Sequence, residues 1–151
     1  AGPGTLWVSD EEAFKTLSAS ETLNVVRVSE AEMKERLWKK LAVSCVLNPL
    51  TALHSCRNGE ALPGREDTCR AVCAEIASLD GCPSTAVDLE EAIYQCVAEN
   101  AANYSSMYQD IAAGRRTEVD ALSGWVVDRA RGGGAPESAR LAAAVRALSP
   151  H

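Results

Sequence analysis

The pattern of apolar and polar positions changes character once along the chain, at Ser29. Before it, "AGPGTLWVS" (1–9) is typical of a turn followed by an extended run, and "TLNVVRVS" (22–29) is a second β-rich run. After it, apolar residues recur at helical spacing in segments separated by glycine, proline and asparagine. The pattern therefore predicts a short extended leader over residues 1–28 and an all-α, multi-helix domain over residues 29–151.

The first predicted helix follows Ser29 and extends to about Cys56. Ser29 and Glu32 have the spacing of a capping box, in which each side chain bonds the backbone N–H of the other residue. Pro49 lies inside this segment and has no N–H, so a kink is expected there. The "NG" pair at 58–59 is expected to end the segment.

The later helices are predicted from caps and from apolar stripes. Thr85 and Asp88 have capping spacing at the start of the clearest one. Thr117 and Asp120 are expected to cap another helix, and Pro136 to begin the last one. The predicted segments are 63–79, 85–100, 103–113, a helix after Thr117 that includes Val126, and 136–148.

The composition is that of a globular domain with few aromatic residues. Hydrophobic residues make up 46% of the 151 residues, charged residues 24% and aromatic residues 5%, so Leu, Val, Ile and Ala must fill the core. The net charge of −6 makes nucleic acid and anionic membranes poor candidate partners. No apolar run is long enough to predict a membrane span.

The cysteine pattern favours reduced thiols over a disulfide framework or a metal site. The sequence contains no CxxC pair, and most of the cysteines lie within helical patterns. With no secretory signal at the start, we expect a cytoplasmic protein whose cysteines are small core residues. A zinc site remains a weaker alternative, because His54 and Cys56 are close but no second ligand pair follows, so no metal is predicted.

The glycines do not predict a nucleotide site within this chain. "GPG" (2–4) and "GGG" (132–134) both lack the strand–GxGxxG–helix context that places backbone N–H groups against a pyrophosphate. No cofactor-binding residues are therefore predicted from these motifs.

A narrow polar stripe runs along the first predicted helix. At about 100° per residue, Lys40, Ser44, Asn48 and Thr51 lie at about 0°, 40°, 80° and 20° around the helix axis. The stripe is either an ordinary solvated face or the polar wall of an apolar cleft. Its narrowness, its single charge and its mixture of donors and acceptors favour the second interpretation.

Two separated motifs resemble the C-terminal domain of the ketopantoate reductase (2-dehydropantoate 2-reductase) family. They are "LWKKLAVSCVLNPLTAL", followed by "NGE" (58–60), and "NYSSMYQDIAAGRRTEVDALSGWVV" (103–127). The resemblance covers roughly residues 29–148. It implies a helical domain of the phosphogluconate-dehydrogenase-like type, preceded in the family by a Rossmann domain that binds NADPH. Residues 1–28 would then be a remnant of that nucleotide-binding domain and the crossing into the helices.

The resemblance also implies roles for individual residues. Lys40 matches the family's catalytic lysine, the general acid that protonates the C2 oxygen of ketopantoate. Asn48 and Asn58 match substrate-site asparagines, and Ser106 matches the serine that contacts the substrate carboxylate. Glu118 matches the glutamate that accepts a hydrogen bond from the substrate hydroxyl.

Each of these assignments has a plainer alternative. Asn58 before a glycine could be a turn residue, Ser106 an ordinary helix serine, and Glu118 an acidic residue favoured by the helix dipole. Asp110 is expected to brace the structure. Ser44 stands where the family usually has asparagine, so a direct substrate contact there is less secure.

The function implied is the substrate-binding and catalytic half of an NADPH-dependent ketopantoate reductase, which makes D-pantoate for pantothenate biosynthesis. Its partners would be a small 2-keto acid, the Rossmann domain of the same protein and, in a homodimer, a second copy. The alternative function is a non-catalytic helical binding or dimerisation module that retains the motifs without a nucleotide domain.

Overall fold

The computed structural model describes residues 5–19, 22–130, 132 and 134–148, and packing divides the chain into two units that meet between Leu37 and Trp38. The predicted all-α body with a short extended N-terminal part is confirmed. The elements in chain order are β1 (Thr5–Val8), α1 (Glu11–Leu17), β2 (Asn24–Arg27), α2 (Glu30–His54), α3 (Asn58–Ala61), α4 (Glu66–Ala77), α5 (Ala86–Asn100), α6 (Ser106–Ala112), a π-helical turn (Asp120–Gly124), α7 (Trp125–Arg129) and α8 (Pro136–Leu148).

The N-terminal unit contains a small parallel β–α–β arrangement. β1 and β2 pair in parallel, with Thr5 opposite Asn24. Between them lies α1, which was not among the predicted segments. It is only seven residues long, and its clearest signal is Asp10, whose carboxylate accepts a hydrogen bond from the N–H of Ala13 at 2.7 Å.

The start of α2 is as predicted, and its end lies two residues before the predicted one. Glu32 accepts a hydrogen bond from the N–H of Ser29 at 2.9 Å, and Ser29 Oγ accepts one from the N–H of Glu32 at 3.2 Å. The helix ends at His54 because Ser55 adopts a φ of 50°, in the left-handed region. The prediction that "NG" at 58–59 ends this segment is therefore wrong, since those residues begin α3. The kink at Pro49 stays a prediction.

Gly59 allows α3 to approach the end of α5 closely. Its N–H donates to the carbonyl of Ala101 at 3.0 Å, and an added Cβ would lie 3.0 Å from Ala101 Cβ. The Cβ and the carbonyl oxygen of Ala101 are both fixed by the backbone, so neither atom can rotate away from an added Cβ. Gly59 is therefore needed for the close backbone contact between α3 and the end of α5, and not for the turn that the sequence suggests.

We expect Gly59→Ala to destabilise the protein by about 1–3 kcal/mol, the usual range for overpacking a tight contact. Urea unfolding followed by circular dichroism measures this change. Gly64→Ala is a useful comparison, because a Cβ there meets nothing within 4 Å and only its positive φ of 76° opposes the substitution. A Gly59→Ala protein as stable as the wild type would contradict the close approach.

The core of the helical unit is built from aliphatic side chains, as the low aromatic content requires. α4 packs against both α5 and α8, and α2 contributes the longest buried stretch. Cys45, Cys69 and Cys73 are buried in this core as small apolar residues, and burial raises the pKa of the Cys45 thiol to about 12. The largest fully buried side chains include Leu47, Leu50, Ile76, Leu89, Ile93, Met107 and Leu141.

The later caps are partly as predicted. Thr85 and Asp88 form a reciprocal capping box at the start of α5, and Pro136 begins α8. The predicted Thr117–Asp120 cap is wrong. Asp120 instead accepts a hydrogen bond from Arg146 Nε at 2.8 Å, and Arg146 Nη2 lies 2.7 Å from the same oxygen. The helix there begins with the π-helical turn and has no side-chain cap.

The first turn of α8 is capped by a residue from another helix. Glu75 of α4 is only 8% exposed, and its carboxylate accepts hydrogen bonds from the N–H groups of Glu137 and Ser138 at 2.6 and 2.9 Å. Ser138 Oγ donates a third at 2.6 Å. A buried carboxylate is thus satisfied by the free N–H groups of a helix N-terminus.

Candidate functional site

The polar stripe of α2 passes from solvent into the core. Lys40 is exposed and has no ion pair or hydrogen bond with another described residue. Ser44 and Asn48 are half-buried, and Thr51 is fully buried. The stripe is therefore not a uniformly solvated face. It offers a free ammonium group at one end and progressively more enclosed polar groups towards the other.

Thr51 connects α2 to the start of α6. Thr51 Oγ1 lies 2.6 Å from Ser105 Oγ, and both side chains are buried. Ser105 is the N-cap of α6 and accepts a hydrogen bond from the N–H of Tyr108 at 3.1 Å. Ser106 follows it directly and is exposed. The buried end of the stripe therefore borders the position predicted to hold the substrate carboxylate.

Asn58 is held from both its backbone and its side chain, and it is 9% exposed. Its N–H donates to the carbonyl of Asn103 at 2.9 Å, and its Nδ2 donates to the carbonyl of Asn100 at 3.3 Å. Its Oδ1 is shielded from solvent and has no hydrogen-bond partner among the residues that the structure describes. Asn58 is the first residue of α3, and leaving a buried acceptor such as its Oδ1 unpaired costs about 1–3 kcal/mol.

A cationic and aromatic cluster holds the chain between α5 and α6. Arg57 donates to the carbonyl of Ala102 at 2.6 Å, and its guanidinium carbon lies 4.9 Å from the centre of the Tyr104 ring. Tyr104 stacks on Tyr108 with 4.5 Å between ring centres. Arg57 is not among the site residues predicted from the sequence. The only signal is its position directly before the "NGE" motif.

Glu118 lies exposed at the entrance to the π-helical turn. Its carbonyl accepts hydrogen bonds from the N–H groups of Ala121 and Leu122, while its carboxylate has no partner among the described residues. In the wide turn that follows, the N–H of Gly124 donates to the carbonyl of Val119 at 3.0 Å, five residues back. Such turns are rare and are frequently found at functional sites.

The structure brings together some of the predicted site residues and leaves others apart. α3 with Asn58 and α2 near Asn48 are both bonded to the segment 103–106 that carries Ser106. No hydrogen bond within the described ranges links Lys40, Ser44 or Glu118 to that group. Asp110, expected to brace the structure, forms an ion pair with Arg115 at 2.8 Å. The roles of the predicted site residues stay predictions.

The described residues contain no group of three or more His, Cys, Asp and Glu side chains that could hold a metal ion. Around the weaker zinc alternative, burial and the nearby cations of Arg65 and Arg140 lower the pKa of His54, and burial raises the pKa of Cys56. The described helices also include none that is long and apolar enough to cross a membrane.

The described residues do not fit the pyrophosphate of a dinucleotide. Of the two described parallel strand–helix junctions, β2–α2 is closed by the reciprocal Ser29–Glu32 capping box. The other, β1–α1, contains Asp10 as the helix cap and Glu11 and Glu12 in the first turn. No glycine lies there, and three carboxylates would repel a phosphate at the helix N-terminus, where a dinucleotide site needs free N–H groups.

Comparison with known proteins identifies the family. The family described as "Ketopantoate reductase PanE/ApbA C terminal" matches residues 32–149. The chain is 43% identical over 114 residues to the 2-dehydropantoate 2-reductase of Salmonella typhimurium, which covers 72% of this chain and 37% of that protein. It is 35% identical over 128 residues to the 2-dehydropantoate 2-reductase of Halobacterium salinarum, covering 82% of this chain and 42% of that protein.

The solved structures agree with the sequence matches. The crystal structure of a PanE/ApbA family ketopantoate reductase from Ralstonia eutropha superimposes with a TM-score of 0.82 at 28% identity, over 97% of this chain and 52% of that one. The chain thus spans less than half the length of these two curated relatives and about half of the solved one. By the family match and these likenesses, the chain belongs to the ketopantoate reductase family, in its C-terminal part.

Proposed function

We propose that this chain is the substrate-binding and proton-donating part of an NADPH-dependent 2-dehydropantoate 2-reductase, which converts ketopantoate to D-pantoate. The observation that carries the proposal is the α2 stripe, in which an unpaired Lys40 leads to the half-buried Ser44 and Asn48. Family membership and the curated names of the relatives support the same reaction. The activity is proposed for the protein in which this chain works with a nucleotide-binding domain.

Lys40 would supply the proton in this reaction. Reduction of a 2-keto acid places a hydride from NADPH on the carbonyl carbon and negative charge on the carbonyl oxygen. The ammonium of Lys40 would donate its proton to that oxygen as the charge develops, so that an N–H bond breaks and an O–H bond forms. Because Lys40 is exposed in this chain, the neutral amine could take up a new proton from water.

The other predicted residues would hold and orient the substrate. Ser106 would donate to the carboxylate, and Glu118 would accept from the substrate hydroxyl. Asn48 and Asn58 would line the site between them, and the unpaired Oδ1 of Asn58 supports this role. Each group would fix one polar atom of a small ligand, which is how a short 2-keto acid is oriented.

The cofactor and assembly follow the family expectation. NADPH would be bound mainly by a Rossmann domain, since the described residues here do not form a pyrophosphate site. Homodimer formation and a cytoplasmic location stay predictions. The division into a remnant over residues 1–28 and a catalytic domain over residues 29–151 is part of the same proposal.

The proposed function is tested by assaying this chain joined to its nucleotide-binding domain. We expect NADPH oxidation that depends on added ketopantoate and yields pantoate. A matched assay with NADH checks the cofactor, and one with pyruvate checks that the branched substrate is preferred. If the folded protein binds NADPH but reduces no 2-keto acid, the non-catalytic binding module becomes the better interpretation.

Ser44→Asn is expected to raise kcat/KM for ketopantoate about two- to tenfold, since one net hydrogen bond contributes about 0.5–1.5 kcal/mol. Ser44 lies one turn from both Lys40 and Asn48, and asparagine would reach further than serine. Steady-state kinetics give the result, with the melting temperature as a control for folding. A lower kcat/KM at an unchanged melting temperature would show that the site has repacked around serine.

A further inference from the structure

The hydroxyl pair of Thr51 and Ser105 joins α2 to the cap of α6 through a side chain–side chain contact of 2.6 Å. The two residues are 54 positions apart in sequence, and Thr51 is 0% and Ser105 7% exposed. Thr51 Oγ1 also lies 2.8 Å from the carbonyl oxygen of Leu47 and 3.0 Å from that of Asn48. The pair therefore touches the backbone of the helical turn that carries Asn48.

The available protons fix the direction of this chain of hydrogen bonds. Each hydroxyl has one proton, and Ser105 Oγ already accepts from the N–H of Tyr108. If Thr51 donates to the carbonyl of Leu47, then Ser105 donates to Thr51 and every donor has an acceptor. If Thr51 donated to Ser105 instead, the Ser105 proton would have no described acceptor. The first arrangement runs from the N–H of Tyr108 to the carbonyl of Leu47 and leaves no proton unused.

We propose that Thr51 and Ser105 are positioning residues that set Ser106 at a fixed distance from Asn48. This inference rests on the proposed function, in which Ser106 holds the substrate carboxylate and Asn48 faces the same site. Ser106 directly follows Ser105, and Asn48 lies within hydrogen-bond distance of Thr51 through its carbonyl. Because the Thr51 and Ser105 hydroxyls are both buried, contacts inside the core set the distance between Ser106 and Asn48.

The positioning role explains why two hydroxyl groups, those of Thr51 and Ser105, are buried here. Valine would fill the Thr51 position with nearly the same shape and would need no hydrogen-bond partner. The rest of this core is largely aliphatic. The Thr51 hydroxyl sets the direction and the length of the contact with Ser105, which valine could not do.

The test compares Thr51→Val, Thr51→Ser and Ser105→Ala in the protein that includes its nucleotide-binding domain. We expect Thr51→Val to raise KM for ketopantoate about tenfold, the effect of about one hydrogen bond. kcat should stay within about threefold and KM for NADPH within about twofold, since neither the proton donor nor the cofactor is displaced. Thr51→Ser keeps the hydroxyl and should restore KM. Ser105→Ala removes the contact from the other side and should repeat the increase even if Thr51→Val does not fold.

Thr68→Val is the matched control. Thr68 Oγ1 donates to Glu137 at 2.9 Å and joins α4 to α8, neither of which carries a predicted site residue. It should lower the melting temperature without changing KM for ketopantoate. In a Ser106→Ala background, Thr51→Val should raise KM no further, because it acts through Ser106.

Folded Thr51→Val and Ser105→Ala proteins with wild-type KM would overturn the inference, as would independent, multiplicative effects of Thr51→Val and Ser106→Ala. A wild-type protein without ketopantoate reductase activity would overturn the proposed function itself. An active wild type with unaffected variants overturns only the positioning role, so the two failures are distinguishable.

Discussion

Lys40→Ala is expected to lower kcat for ketopantoate reduction by about 10²–10⁴-fold, the usual contribution of a positioned general acid. The side chain is exposed and has no partner among the described residues, so its removal should leave the fold and its stability almost unchanged. KM should change much less than kcat, because the proton is needed in the transition state. Steady-state kinetics with ketopantoate and NADPH measure both quantities.

Lys39→Ala is the neighbouring control. Lys39 lies about 100° away on α2. Hydrogen bonds from Thr85 lower the pKa of Asp88 in the α5 capping box, and the charge of Lys39 adds a smaller effect in the same direction. It should therefore cost a little stability and leave kcat within about threefold. If Lys40→Ala also has a kcat within about threefold of the wild-type value, Lys40 is not the acid, because a positioned general acid contributes far more.

Glu75→Gln should reduce the free energy of unfolding by about 2–4 kcal/mol, which is large for a change that keeps the size of the side chain. The carboxylate accepts three hydrogen bonds from the start of α8. The amide group of glutamine would turn a donor towards these donors and would lose the charge that the helix N-terminus favours. Urea unfolding of wild type and variant gives the difference directly.

Glu99→Gln provides the comparison for Glu75→Gln. Glu99 is exposed on α5 and accepts one hydrogen bond, from Gln95. The same chemical change there should alter stability by less than about 0.5 kcal/mol. Equal effects at the two positions would mean that the buried cap on α8 contributes little.

The sequence was sufficient to predict those helical features that are formed by residues close together in the chain. The capping boxes at Ser29 and Thr85 and the helix spacing of Lys40, Ser44 and Asn48 all appear in the sequence within a few residues of each other. Each depends on short-range geometry, so each could be predicted without a fold. The family motifs then added residues whose importance no periodicity could reveal, such as Ser106.

Distant partners explain most of what the sequence could not predict. Asp120 has the spacing of a cap, but Arg146 from the last helix takes its carboxylate. Thr51 lies on the polar side of the helix, yet it is buried in the core because Ser105 lies against it. Glu75 looks like any surface glutamate of an amphipathic helix. In each case the deciding contact comes from residues 26 to 63 positions away.

The same buried carboxylate has a consequence for the order in which the domain can be completed during synthesis. Glu75 precedes Glu137 by 62 residues, so it leaves the ribosome well before the helix that it caps. Until α8 arrives, burying Glu75 would leave a charge without donors, which is strongly unfavourable. A nascent chain that ends before Ser138 should therefore keep this side of α4 open to water and to chaperones, and close it only when the last helix has been made.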